Sequence, residues 1–258
     1  MFDLKGKVAL VTGGTRGIGL GISLTLAQAG ATLALNYRQD ENSARQTLEQ
    51  IRQLAPRSIL VQADLESEEE TRAMVRRAAT ELGRLDFVVV NAVTTTTKPL
   101  LSVKPTSFWR TMSMNLGGLF ITAQEAAGVI ADNGRIIVIS GTEVTKYSGP
   151  NQEVLHVAKS AMESMVHQLA FALGPRGITV NGLGLGMFDT DSTRFLFGDR
   201  FDQFAAGMSA HTALKRIGVP ADVGGVVAML CSPLASYVTG QIIMVDGGTS
   251  AMTPFTTT

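Results

Sequence analysis

Apolar positions along the chain follow two alternating patterns. Short runs rich in Val, Ile and Leu predict strands over Val8–Val11, Thr32–Asn36, Ile59–Gln62, Phe87–Val90, Arg135–Ile139, Ile178–Leu183 and Ile242–Val245. Several are apolar at consecutive positions, which suits strands covered by helices on both faces. The longer stretches between them predict helices near Ile18–Ala29, Asn42–Leu54, Glu68–Leu82, Ser107–Ala131, Gln152–Leu173 and Ala221–Leu230. Strands that alternate with helices in this way form βαβ units and a parallel sheet. The expected class is therefore α/β, a doubly wound parallel sheet of seven strands, folded as a single domain over residues 1–258.

Two of these helices carry more apolar residues than one buried face requires. Val154, Leu155, Val157, Ala158, Met162, Met165, Val166 and Leu169 fill most sectors of one, and Phe108, Trp109, Met112, Leu116, Leu119, Phe120 and Ile121 crowd the other. A helix apolar nearly all round is buried on two sides, so a homo-oligomer, dimer or tetramer, is expected. The segment 187–213 holds Phe188, Phe195, Phe197, Phe201, Phe204 and Met208. It reads as an apolar substrate lid, with a hydrophobic cap or subunit contact as the other option.

Composition narrows the function. Twenty-two basic residues balance 22 acidic ones, so no net field favours nucleic acid or an anionic membrane. The start, MFDLKGKVALVTGG, leads straight into a strand, and no apolar run approaches the roughly 18–20 residues that span a bilayer. With a lone Cys231 and no ligand spacing among His156, His167 and His211, neither disulfides nor a metal site is expected. The reading is a cytoplasmic protein.

The strongest local signal is TGGTRGIG, Thr12 to Gly19, between the first strand and the first helix. Gly13, Gly17 and Gly19 leave room for a tight turn and for close approach of backbone to a pyrophosphate. Thr15, Arg16 and Ile18 complete the loop, and the helix N-terminus offers free N–H groups to the anion. This is a Rossmann-type dinucleotide signature in its required context. The second strand ends in Asn36-Tyr37-Arg38 with no carboxylate before Asp40. Arg38, with Arg16 nearby, therefore predicts a 2′-phosphate and NADP(H). Asp64, Asn91 and Ala92 follow the third and fourth strands, at the carboxyl ends where such sheets bind ligands.

These motifs, in order, resemble the classical short-chain dehydrogenase/reductase family over nearly the whole chain. The resemblance makes Asp64-Leu65 the adenine-binding pair, Asn115 the catalytic asparagine, Thr190 the nicotinamide carboxamide ligand and Gly186 part of the nicotinamide loop. Lys159 becomes the lysine that holds the nicotinamide ribose and supports catalysis. The family's Tyr-x-x-x-Lys places both groups on one helix face, but here the segment is Leu155-His156-Val157-Ala158-Lys159. Leucine has no exchangeable proton. The partner serine maps to Gly141 or Thr142, with Ser140 one step earlier. Phe108-Trp109, Ala123–Ala127 and Phe188–Asp191 further resemble the short-chain-type enoyl-acyl-carrier-protein reductases, whose displaced tyrosine is Gln152 here.

Without the phenol, Tyr147, His156, and Thr142 or Ser140 remain as candidate proton donors. Hydride addition to a ketone builds an alkoxide that needs an acid. Addition to the β-carbon of an enoyl thioester builds an enolate that hydrogen bonds can hold. The expected activity is NADPH-dependent reduction of an activated C=C in an apolar, polyketide-like or carrier-bound acyl substrate. The other readings are non-redox cyclisation, isomerisation or elimination, a carbonyl reductase with a replacement donor, and a dinucleotide-binding pseudoenzyme. Substrate contacts are expected from Thr94–Thr97, the loop Tyr147–Gln152 and the 187–213 segment.

Overall fold

The computed structural model describes residues 2–142, 144–146 and 151–251. The elements run β1 (Val8–Val11), α1 (Gly17–Gln28), β2 (Thr32–Tyr37), α2 (Glu41–Arg52), β3 (Ile59–Gln62), α3 (Glu68–Leu82) and β4 (Phe87–Val90). The second half continues α4 (Pro105–Met112), α5 (Gly118–Val129), β5 (Arg135–Gly141), α6 (Glu153–Leu173) and β6 (Thr179–Leu185). It closes with α7 (Asp191–Phe197), α8 (Phe201–Ala210), α9 (Pro220–Cys231) and β7 (Ile242–Val245). The seven strands form one parallel sheet in the order β3-β2-β1-β4-β5-β6-β7. Chain direction across the sheet reverses between β1 and β4. That is the switch point where the carboxyl ends of strands leave a crevice.

Side-chain alternation divides the core between the two faces. Leu10, Val88, Ile136 and Val180 point to the side covered by α3, α5 and α6, where they meet Val75, Leu119, Met162 and Val166. Ala9, Val11, Val89 and Leu183 point to the other, against Ile22 and Leu26 of α1 and Val223 and Val227 of α9. The α1–α9 contact is close because it is built on glycine. A Cβ on Gly21 would fall 2.4 Å from Pro220 Cβ, and one on Gly224 would fall 2.8 Å from Gly21 O. Overpacking such a contact costs about 1–3 kcal/mol. Gly21→Ala is expected to lower unfolding stability by that amount in denaturant titration, and an unchanged midpoint would contradict this packing.

The single helix expected over Ser107–Ala131 is interrupted. A π-turn at Ser113–Gly117 separates α4 from α5. Asn115 Nδ2 donates to Thr111 O at 2.7 Å and to Thr94 O at 2.8 Å, and Gly117-Gly118 follows. A polar side chain bonding into the carbonyl ladder, next to weak helix formers, accounts for the bulge. Such turns concentrate at functional sites.

The outward sides of α4 to α6 leave Trp109, Phe120, Val157 and Phe171 exposed. Among the described residues, no helix is long and apolar enough to cross a membrane.

Candidate active site and dinucleotide cleft

The glycine turn after β1 is held from both sides. Asn36, buried at the end of β2, accepts from Gly13 N through Oδ1 at 3.0 Å and donates Nδ2 to the carbonyls of Tyr37, Val61 and Ala63. On the other flank, Thr12 Oγ1 accepts from Asn91 N at 2.8 Å and from Ala92 N at 3.0 Å. Asn91 Nδ2 returns to Thr12 O and Gly13 O. Asn91 and Ala92 therefore brace the turn. Thr47 Oγ1, on α2, donates to Thr15 O.

Within the turn, Gly13 and Gly17 have positive φ (59° and 53°), and a Cβ on Gly19 would lie 2.0 Å from Gly13 O. Only glycine fits these places. Ile18 anchors the helix start against the core. Helix α1 begins at Gly17 with no side-chain cap and no acidic residue in its first turn. Its first N–H groups and positive dipole end therefore remain for an anion. Thr190, at the N-cap of α7, lies over this turn: the Gly17 Cβ position is 3.8 Å from Thr190 Cβ. This cradle fits an anionic group such as the pyrophosphate of a dinucleotide.

At the other end of the cleft, Arg16 and Arg38 are exposed. Arg38 Nη1 stands 3.8 Å from Glu66 Oε1. Asp64 is half-buried, its Oδ1 accepting from Glu66 N and its own N–H donating to Glu70 Oε2. Leu65 is buried beside Gly118 at the start of α5. Gly186 packs against Asp246 of the β7 end, where a Cβ would meet Asp246 Cα at 2.8 Å. It serves there as a close contact between strand ends.

Lys159 is the centre of the chemistry-bearing group. Its Nζ donates to Ser140 O at 2.9 Å. Burial lowers its ammonium pKa to about 8, against the opposing pull of Glu163. Leu155, one helical turn before it, is buried. A Cβ on Gly141 would lie 3.4 Å from Lys159 Cδ and 3.5 Å from Nζ. Gly141, of the two places considered for the serine, thus faces the lysine.

Of the candidate donors, Ser140 and Thr142 are engaged elsewhere. Ser140 is fully buried and donates to Glu163 Oε1 at 2.7 Å, so its hydroxyl is committed beneath the site. Thr142 Oγ1 donates to Asp246 Oδ2 at 3.2 Å, at the end of β7. Asp246 is held below the usual carboxylate range: burial opposes this, but donors from Ser250, Gly248 and Thr142 prevail. His156 follows Leu155 on α6, and burial with the neighbouring Lys159 lowers its pKa, against Glu153. Tyr147 lies outside the described residues. Asn115 is buried at the π-turn with Oδ1 lacking a hydrogen-bond partner among the described residues.

The segment 187–213 folds into α7 and α8 rather than an open loop. Phe188 and Phe201 are buried, Phe197 and Phe204 stack at 3.8 Å, and Phe195 is 91% exposed. Arg194 pairs with both oxygens of Asp189 and covers the Phe201 ring at 4.4 Å. A cavity of about 410 Å³ opens between this segment and the β7 end, lined by Met187, Phe188, Leu214, Arg216, Met244 and Asp246. It adjoins Thr142 through Met244 and Asp246.

Sequence reasoning passed over Thr12, the buried role of Asn36, Thr47 and Glu163. Only Asn36 gave a signal, as a polar residue ending an apolar strand.

With this geometry in view, a family model described as enoyl-(acyl carrier protein) reductase matches residues 13–250. A hydroxynaphthalene reductase-like protein of Metarhizium brunneum is 34% identical over 255 residues, covering 95% of this chain and 96% of that protein. The 1-cyclohexenylcarbonyl-CoA reductase of Streptomyces collinus is 33% identical over 249 residues, covering 96% and 88% respectively. Among solved structures, a blue fluorescent protein from a metagenomic library, in complex with NADPH, superposes with a TM-score of 0.89 at 35% identity, covering 96% of this chain and 99% of that one. The chain belongs to the short-chain dehydrogenase/reductase family of oxidoreductases.

Proposed function

We propose that the protein is an NADPH-dependent reductase of activated carbon–carbon double bonds, acting on enoyl thioesters or enones with an apolar body. One observation carries this reading: Lys159 faces a glycine at 141 and stands one turn from a buried leucine at 155, so neither of those two positions supplies a hydroxyl between it and a substrate oxygen. The cradle residues Gly13, Arg16, Gly17, Gly19 and Thr190 would hold the dinucleotide, Arg38 its 2′-phosphate, and Lys159 the nicotinamide ribose. The NADPH-bound relative at 35% identity supports that cofactor. When bound, NADPH supplies a hydride.

Hydride arrival at the β-carbon shifts the π electrons onto the carbonyl oxygen. The Lys159 ammonium can donate a hydrogen bond to that oxygen through the space at Gly141, holding the enolate until the α-carbon takes a proton from water. Asn115, held by Thr94 O and Thr111 O, fixes the loop that follows β4. The cavity beside Thr142 gives an apolar body room, and the 187–213 segment, which puts Met187 and Phe188 into its wall, would act as a substrate lid. The cyclohexenylcarbonyl-CoA reductase among the relatives is named for a substrate of this class.

A second reading, carbonyl reduction of a phenolic polyketide, has the support of the hydroxynaphthalene reductase-like relatives. Oxidation of NADPH and of NADH, followed with trans-2-octenoyl-CoA, cyclic enones and a tetralone, separates the two. NADPH-dependent turnover confined to the enoyl and enone substrates is expected. Turnover of the tetralone alone would reject the first reading in favour of the second.

A further inference from the structure

Glu66 lies between two arginines, and its preference between them bears on cofactor choice. Its backbone is fixed in the turn after β3, where Ser67 N donates to Asp64 O and Glu66 N donates to Asp64 Oδ1. From there the carboxylate meets Arg110 of α4 with both oxygens: Arg110 Nε lies 2.9 Å from Oε1 and 3.0 Å from Oε2, and Nη2 lies 2.7 Å from Oε1. Arg38 approaches the same Oε1 only to 3.8 Å, beyond hydrogen-bond reach. The Arg38 backbone is meanwhile held by Gln62 Nε2 donating to Arg38 O. Its side chain is left 42% exposed at the carboxyl end of β2.

We propose that Glu66 is a specificity-determining residue for a 2′-phosphate and that Arg110 is its positioning partner. By engaging both oxygens of Glu66, Arg110 leaves Arg38 available to the anion. The inference rests on the NADPH reading and adds to it residues that do not touch the phosphate. A forked guanidinium holds a carboxylate more firmly than a single distant contact does. Without Arg110, Glu66 has Arg38 as its nearest cation and becomes its partner. A 2′-phosphate brought to Arg38 then competes with that carboxylate and is repelled by it. With Arg110 in place, the charge of Glu66 is offset by a second guanidinium that bonds the very oxygen Arg38 approaches.

Calorimetric titration of the full chain with adenosine 2′,5′-bisphosphate and with adenosine 5′-monophosphate gives an affinity ratio that isolates the 2′-phosphate. Glu66→Gln is expected to raise that ratio about three- to fivefold, as for a partly exposed charge pair, and Arg110→Gln to lower it by a similar factor. Arg110→Lys, which keeps the charge and loses the fork, falls between. In the Glu66→Gln background, Arg110→Gln changes nothing. An Arg110→Gln effect of equal size in both backgrounds would overturn the proposal, because Arg110 would then act without Glu66. A ratio unmoved by Glu66→Gln would overturn it as well. A wild-type ratio near unity would refute the NADPH reading itself and the inference with it.

Discussion

Lys159→Met is expected to lower kcat for enoyl reduction by about a hundred- to a thousand-fold while leaving the protein folded. The reason is the setting of this ammonium. Ser140 is tied to Glu163, Thr142 to Asp246, and Leu155 offers no proton. With no proton from those three positions, the substrate oxygen is expected to take its hydrogen bond from Nζ. Met fills similar volume without burying a charge, so stability should hold. The pH profile gives the sign of the role. Lys159 titrates near 8 rather than 10.5, and it acts as a donor only when protonated. Activity should thus fall as pH rises through about 8. Stability runs the other way: between about pH 8 and 10.5 the unfolded chain binds a proton that the folded one does not. Folding stability therefore increases with pH over that window, and below it the charged lysine is carried at full cost. Both trends vanish in Lys159→Met. A kcat–pH curve flat between pH 7 and 9 would argue against the assignment.

Restoring the two absent hydroxyls has the second large effect. The double variant Gly141→Ser, Leu155→Tyr is expected to gain carbonyl reduction by about a hundred-fold over the parent. Gly141 has room: an added Cβ meets Lys159 Cδ and Val144 Cγ1, both at 3.4 Å, ordinary contact distance. A phenol at 155 would stand one turn from the lysine, on the same helix face. Its acidity would be raised by the adjacent ammonium, and the serine could share its hydrogen bond. Ketone-dependent NADPH oxidation measures the gain. An inactive but folded double variant that still binds NADPH would show that more than these two hydroxyls separates the site from carbonyl chemistry.

Sheet and helices were largely legible in the sequence, because apolar runs report which segments are covered on both faces. β1, β3, β4 and β7 end where that pattern ends. β5 and β6 run further, to Gly141 and Leu185, because Ser140 pairs with Gly184 and Gly141 with Leu185 through backbone alone. Hydrophobicity carries no mark of such pairing. The break at Ser113–Gly117 was partly hidden for a related reason: besides the local bond to Thr111 O, Asn115 bonds Thr94 O, a partner 21 residues away. In the cleft, the glycine spacing was readable because its geometry is local. The commitments of Ser140 to Glu163 and of Thr142 to Asp246 were not, since each joins elements far apart in sequence. Arg38 was legible as a cation at the end of β2, whereas the hold of Arg110 on Glu66 became visible only in three dimensions.

An enone offers both reducible bonds in one molecule, so the most direct test is where hydride from deuterated NADPH arrives when 2-cyclohexenone or a longer-chain enone is turned over. Deuterium on the β-carbon of a saturated ketone is the predicted result. Deuterium on the carbinol carbon of an allylic alcohol would contradict the account, showing that a carbonyl is reduced at this site without the phenol.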